Sequence, residues 1–342
     1  MGDDQLTLVE LLADRPVLLA DGATGTNLFD MGLTSGDAPD MWNLEKPDNI
    51  RKLHQSFVDA GCDIVLTNTF GSNARRLMLH NAQDQAFELN KAGAELAREI
   101  ADKAGRPVIV AGSVGPTGDL FAPLGELTAE MAVEVFEVQM KGLKAGGADV
   151  AWIETMSASE EMLTAATAAR NVGLPYVITA SFDTAGRTMM GIKPGSFATE
   201  MLSGAANDGE RPTAVGGNCG VGASDTLLAI LNMTEAEPEA VIVCKANAGI
   251  PVVTGEHVHY SGSPELMADY AGLAIDAGAR IIGGCCGTKP EHLRAMRAAI
   301  DAHQKGPRPS IDDIVAACGP LANPPTENAA RPPARKGRRR RG

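Results

Sequence analysis

Residues 279–303 read ARIIGGCCGTKPEHLRAMRAAIDAH. A short β-branched run ends in two glycines and two adjacent cysteines. Lys289 and Pro290 then open a segment whose large apolar residues, Leu293, Met296 and Ile300, recur at helical spacing. This is a strand followed by a helix, and the same unit can be traced back along the chain. The apolar runs are VLLADG (17–22), DIVLTNTF (63–70), PVIVAGS (107–113), DVAWIET (149–155), PYVITASF (175–182), TAVGGNC (213–219) and AVIVCKAN (240–247), with helical patterns between them. Runs apolar on both faces suit strands buried in a parallel sheet. Alternating strands and helices imply right-handed crossovers, and eight units predict a single-domain (β/α)8 TIM barrel. The runner-up is an open doubly wound sheet. That fold would need a phosphate-binding loop after the first strand, where the acid of DGATGT (21–26) would repel a phosphate.

The 342 residues fit one barrel, and with 44% hydrophobic but 4% aromatic residues its core must be aliphatic. The expected division is a barrel over 1–305 and a proline-rich, basic, disordered tail over 306–342. Net charge is −13, yet the last twelve residues, RPPARKGRRRRG, hold seven of the basic groups, and the rest has 23 basic against 43 acidic. Such an acidic body argues against nucleic-acid binding. No apolar run is long enough to span a membrane, and the acidic start lacks a signal-peptide pattern, so a cytoplasmic protein is expected, with a homo-oligomer compatible with the sequence. Thiols there stay reduced, which makes the six cysteines core residues, metal ligands or catalytic groups.

Barrel active sites lie at the C-terminal ends of the strands. Read that way, one rim collects Asp21, Phe70, Ser113, Glu154, Asn218, Cys219, Lys245, Cys285 and Cys286. Three thiolates without a fourth ligand suit a reactive zinc site, whereas CxxC pairs would mark a structural one. Zinc on three sulfurs is a weak Lewis acid, but it can take up a fourth thiol and keep it nucleophilic. With Asp21 and Glu154 ready for an ammonium group, the fitting substrate is a small amino acid bearing a thiol. Cys62, Cys244 and Cys318 read as core thiols, and His257 and His259 as surface residues.

LLADGATGTNL, TNTFGSNARRL, AGSVGPTG, ADVAWIETM, GNCG and IIGGCCGTKPEHLRAM together resemble the homocysteine S-methyltransferase family over about residues 15–303. The resemblance implies zinc on Cys219, Cys285 and Cys286. It also implies Asp21 and Glu154 on the homocysteine ammonium, amides of Gly22 and Ala23 on its carboxylate, and Asn218 beside the metal. No catalytic residue is then needed beyond the zinc-activated substrate thiol. The overall likeness is to bacterial betaine–homocysteine methyltransferases. A quaternary ammonium donor wants aromatic faces, and Trp42, Phe70 and Tyr260 are the candidates. S-methylmethionine or a dimethylsulfonium donor is the alternative, as is a methyl-accepting subunit served by a separate corrinoid or methylfolate partner. A non-catalytic thiol or metal carrier is the competing class; it would not require the two acids.

Overall fold

The computed structural model describes residues 6–204, 210–254 and 257–325. Eight parallel strands form the barrel: β1 (Leu18–Leu19), β2 (Ile64–Leu66), β3 (Ile109–Val114), β4 (Val150–Met156), β5 (Tyr176–Ala180), β6 (Ala214–Cys219), β7 (Ile242–Ala246) and β10 (Ala279–Gly284). Each coincides with one of the eight runs read from the sequence, β3 and β4 running one residue further. Their order is β1-β10-β7-β6-β5-β4-β3-β2, and a parallel bridge between Ala20 and Ile64 joins the ends. The short β1 is helped at this seam by a side chain. Asp63 accepts the Leu19 N–H at 2.9 Å, while its own N–H donates to the Leu19 carbonyl at 2.7 Å. The fold is the expected single-domain (β/α)8 TIM barrel.

Side chains alternate across each strand, which sorts the core into two layers. Leu18, Ala20, Ile64, Leu66, Ile109, Ala111, Val150, Trp152, Val177, Ala214, Val243 and Ile281 form an inner cluster. Helix α1 (Leu8–Asp14), held by a Thr7–Glu10 capping box, adds Leu8, Leu11 and Leu12 to that cluster at the strands' N-terminal end. The intervening residues, among them Leu19, Val65, Val110, Ile153, Ile178, Val215 and Ile282, pack with the surrounding helices in an outer cluster. Carried two residues past the inner layer, the alternation aims Ser113, Glu154 and Lys245 inward at the C-terminal end. Gly216 is required by close approach, since a Cβ there would lie 2.1 Å from the Val243 carbonyl oxygen.

Two features depart from the expectation. Residues 251–254 and 257–260 form an antiparallel hairpin, β8–β9, in the segment after β7, for which the sequence analysis named no strand. The expected disordered tail over 306–342 is corrected in its first part. Ser310 caps a helix over Ile311–Cys318, Ile314 is buried, and the Asp225 carboxylate accepts the N–H groups of Ala322 and Asn323, each at 2.8 Å. Flanking prolines and glycines masked the apolar spacing of Ile311, Ile314, Val315 and Cys318. Residues 326–342, with the basic run, lie outside the described residues.

His54 sits in helix α4 (Pro47–Asp59), fully buried, with no hydrogen-bond partner for either ring nitrogen among the described residues. Burial pushes its pKa down from 6.5 to about 4. Between those values the unfolded chain takes up a proton that the folded chain refuses. The stability contributed by neutral His54 is therefore complete above 6.5 and declines as pH falls through the window. From pH 7.5 to pH 5 the protein is expected to lose about 2 kcal/mol more than a His54→Leu variant does, measured by urea denaturation. Equal losses would contradict this.

Candidate active site

β6 ends on Cys219, and β10 runs directly into Cys285 and Cys286. The three Sγ atoms lie within 4.8 Å of one another, and Cys219 and Cys286 are 3.9 Å apart. A tetrahedral ion with metal–sulfur bonds of about 2.3 Å requires sulfurs roughly 3.8 Å apart. The cluster therefore fits one zinc-sized ion, and all three are free cysteines. Local backbone makes this possible. Cys219 adopts φ 63° and is followed by Gly220 at 70°, which turns the chain off the strand. The neighbouring thiols of Cys219 and Cys285 pull the Cys286 thiol well below its usual range, while those of Cys285 and Cys286 push the Cys219 thiol upward.

The cysteines line a cavity of about 680 Å³ at the C-terminal mouth, together with Gly22, Ala23, Phe70, Ser113, Glu154, Thr155 and Lys245. A hollow of about 960 Å³ at the opposite end is walled by Arg15, Asp63, Arg106, Arg280 and Arg297, and it contains no thiol. Size therefore does not identify the site; the thiols do.

Glu154 is buried. Its Oε1 accepts the Ser113 hydroxyl at 2.5 Å, and its Oε2 receives only a long 3.4 Å contact from Asn218 Nδ2. Burial raises its pKa to about 7, against the pull of Lys245. Asn218 braces the rim. Its Oδ1 accepts Thr155 N–H at 2.9 Å and Thr179 Oγ1 at 2.7 Å, and its Nδ2 donates to Thr155 Oγ1 at 2.7 Å. These bonds hold Thr155 at φ 61°, a strained value for a β-branched residue.

Asp21 reaches the rim but not the cavity wall. Its Oδ1 pairs with Lys245 Nζ at 2.8 Å, and its Oδ2 accepts Leu66 N–H at 2.7 Å. Burial works against the Lys245 charge, but the Asp21 and Glu154 carboxylates outweigh it and raise its pKa. Gly22 and Ala23 do line the cavity, yet the Ala23 N–H already donates to the Thr288 carbonyl at 3.1 Å.

The three aromatic candidates separate. Phe70 stands in the cavity wall, 37% exposed. Trp42 is 3% exposed and packs in the outer core with Lys46 Nζ 4.1 Å above its ring, so the sequence expectation for it does not hold. The indole opens a short helix, Trp42–Glu45, and is buried there rather than turned to the rim. Tyr260 lies behind the thiols, its ring against Gly287, and takes no place in the cavity wall. The side chains of His257 and His259 lie outside the described residues. The sequence reading gave no role to Lys245, Asp40 or Arg76, all of which line the cavity. Lys245 is on the rim read from the sequence, and strand alternation counted from Val243 turns it inward.

Among known proteins, the family model described as "Homocysteine S-methyltransferase" matches residues 18–300. Methionine synthase from Mycobacterium leprae is 30% identical over 311 residues, covering 86% of this chain and 25% of that protein. The Mycobacterium tuberculosis methionine synthase is 28% identical over 309 residues, with the same coverage. The chain thus spans a quarter of the length of these relatives. The solved structure of the metallated form of the Escherichia coli homocysteine methyltransferase MmuM superposes with a TM-score of 0.70 at 24% identity, over 84% of this chain and 98% of that one. Its oxidized form gives 0.70 at 23%, over 84% and 97%. The likeness to MmuM is one of fold.

Proposed function

The chain belongs to the homocysteine S-methyltransferase family, and on that premise we propose that it methylates the thiol of L-homocysteine to methionine, with zinc held by Cys219, Cys285 and Cys286 and betaine as donor. The observation that carries the reading is the set of three thiols at one-ion spacing, sharing a cavity with a buried carboxylate and a buried ammonium. Zinc on these sulfurs would supply a substrate thiol that stays nucleophilic at neutral pH. The barrel, taken as 1–305 from the sequence, is the homocysteine-binding unit.

The chain's own groups bind and orient. Glu154 offers its Oε2 to the substrate ammonium, while Ser113 fixes the other oxygen. Asn218 holds the Thr155 turn beside the thiols. On the donor side, Phe70 presents a ring to an onium group, with the Asp40 carboxylate and the Arg76 guanidinium in the same wall. An onium that also carries a carboxylate, as betaine does, matches this set. In the transfer a C–N bond of betaine breaks and the S–CH₃ bond of methionine forms. Dimethylglycine leaves as a neutral amine that needs no general acid, and the thiol proton goes to solvent. Among the described residues no helix is long and apolar enough to cross a membrane.

The test uses zinc-loaded protein, homocysteine and, in separate arms, betaine, S-methylmethionine, a dimethylsulfonium compound, methylfolate and methylcobalamin, with methionine read by mass spectrometry. Betaine is expected to give methionine and dimethylglycine in equal amounts. Product from another donor alone would overturn betaine. No product from any donor would overturn the methyl-transfer reading.

A further inference from the structure

The hollow at the N-terminal end of the barrel has no part in the reading above. It encloses about 960 Å³, a volume in the range of small-ligand sites. Its wall carries Arg15, Arg106, Arg280, Arg297 and Lys305 against the carboxylates of Asp63 and Asp301, an excess of three positive charges with His303 neutral. Before its last twelve residues the chain has 23 basic against 43 acidic groups, so this concentration of cations runs against the charge of the body.

Separate segments bring the cations together. Arg15 ends helix α1, Arg106 precedes β3, Arg280 lies in β10, and Arg297 and Lys305 lie in and just beyond the helix Pro290–Ala302. Their protein partners do not balance them. Asp63 accepts Arg15 Nη1 at 2.5 Å, Arg297 Nη1 at 3.1 Å and the Leu19 N–H at 2.9 Å. Arg106 Nη1 stays 3.7 Å from Asp63 Oδ1, too far for a hydrogen bond. That atom and Arg297 Nε are buried without a hydrogen-bond partner among the described residues. Arg280 uses Nε and Nη2 on the carbonyls of Pro16, Leu12 and Arg15, which carry no full charge. Lys305 is exposed and has no carboxylate partner among the described residues. The stem of Arg297 is held over Gly61, where a Cβ would lie 2.8 Å from its Cγ.

Guanidiniums crowded in this way repel one another. An anion that enters relieves the repulsion and gains charge-assisted hydrogen bonds. The rest of the wall, Val17, Ile275 and Ile300 among it, includes no Phe, Tyr or Trp on which a nucleobase could stack. We propose that the hollow binds a small metabolite of the bisphosphate class, without a base, through Arg15, Arg106, Arg297 and Lys305. Guanidinium forks match phosphate oxygens in pairs, and two phosphates answer the excess charge where one carboxylate would not. The thiols lie at the other end of the barrel, so the proposal does not depend on zinc or on methyl transfer.

Calorimetry on the full-length, zinc-loaded protein tests it with fructose 1,6-bisphosphate, fructose 6-phosphate and fructose as probes at one ionic strength. The bisphosphate is expected to bind, the monophosphate to bind about 10-fold more weakly or worse, and the bare sugar not to bind. Arg106→Gln keeps an amide donor for the Val58 carbonyl, which Arg106 Nη2 now meets at 2.9 Å. It is expected to weaken the bisphosphate roughly 10- to 150-fold, the range of one charge-assisted hydrogen bond. Lys305→Gln, on an exposed side chain, should weaken it roughly two- to fivefold. If Arg106→Gln does not fold, Lys305→Glu replaces it and should weaken the bisphosphate more than Lys305→Gln does. No bisphosphate binding by the wild type would overturn the assignment. So would equal binding of the three probes. Bisphosphate binding left unchanged by these variants would overturn it too, since the ligand would then sit elsewhere, on the basic run at 331–342 or in the thiol cavity.

Discussion

Cys219→Ser is expected to remove bound zinc and to lower methionine formation by about 1,000-fold or more. Serine matches cysteine in size, and its backbone can follow the φ of 63° no worse than cysteine does. The fold should therefore survive, with a melting temperature close to wild type. The loss falls on the cluster, in which Cys219 supplies the one sulfur from β6 while β10 supplies the other two. Changes to groups that only support metal ligands already cost about 10- to 100-fold. Loss of a ligand from a three-sulfur set should exceed that, because a free substrate thiol is mostly protonated at neutral pH. Zinc per chain after dialysis and the rate of methionine formation check the expectation together. A variant with wild-type zinc and activity would contradict it.

Glu154→Gln carries the second large effect. The amide keeps the shape of the side chain and can still accept the Ser113 hydroxyl, so the rim should remain built. What disappears is the negative charge on Oε2, the oxygen that among the described residues has only a long contact. Removing one partner of a desolvated charge pair typically costs about 2–5 kcal/mol. The Kd for homocysteine is thus expected to rise by about 100-fold, while 4-sulfanylbutanoate, which lacks the ammonium, should bind both proteins alike. Calorimetry on the two ligands tests this. Equal weakening of both would show that Glu154 shapes the site without meeting the ammonium.

The barrel was legible because parallel strands covered on both faces must be apolar along their length, and each run here is followed by a helix. The thiol cluster was legible for a related reason: once β6 and β10 are recognised, Cys219, Cys285 and Cys286 fall at their C-terminal ends. Pairings between distant residues were not legible. Asp21 and Lys245 are 224 positions apart, and the sequence places both on the rim without saying that one neutralises the other. Trp42 failed for a similar reason, since the sequence does not say which way the short helix Trp42–Glu45 turns its ring, and burial decided. The helix over 311–318 was hidden by the prolines and glycines around it, and the β8–β9 hairpin lies between β7 and the next helix, where the unit of strand followed by helix leaves no place for it.

The central claim is that the substrate sulfur joins the three protein sulfurs on one ion. X-ray absorption at the zinc edge, recorded before and after saturation with homocysteine, tests it most directly. The predicted result is a shell of three sulfurs and one lighter atom that becomes four sulfurs when homocysteine binds. A shell that keeps three sulfurs, with homocysteine bound by calorimetry, would contradict the account.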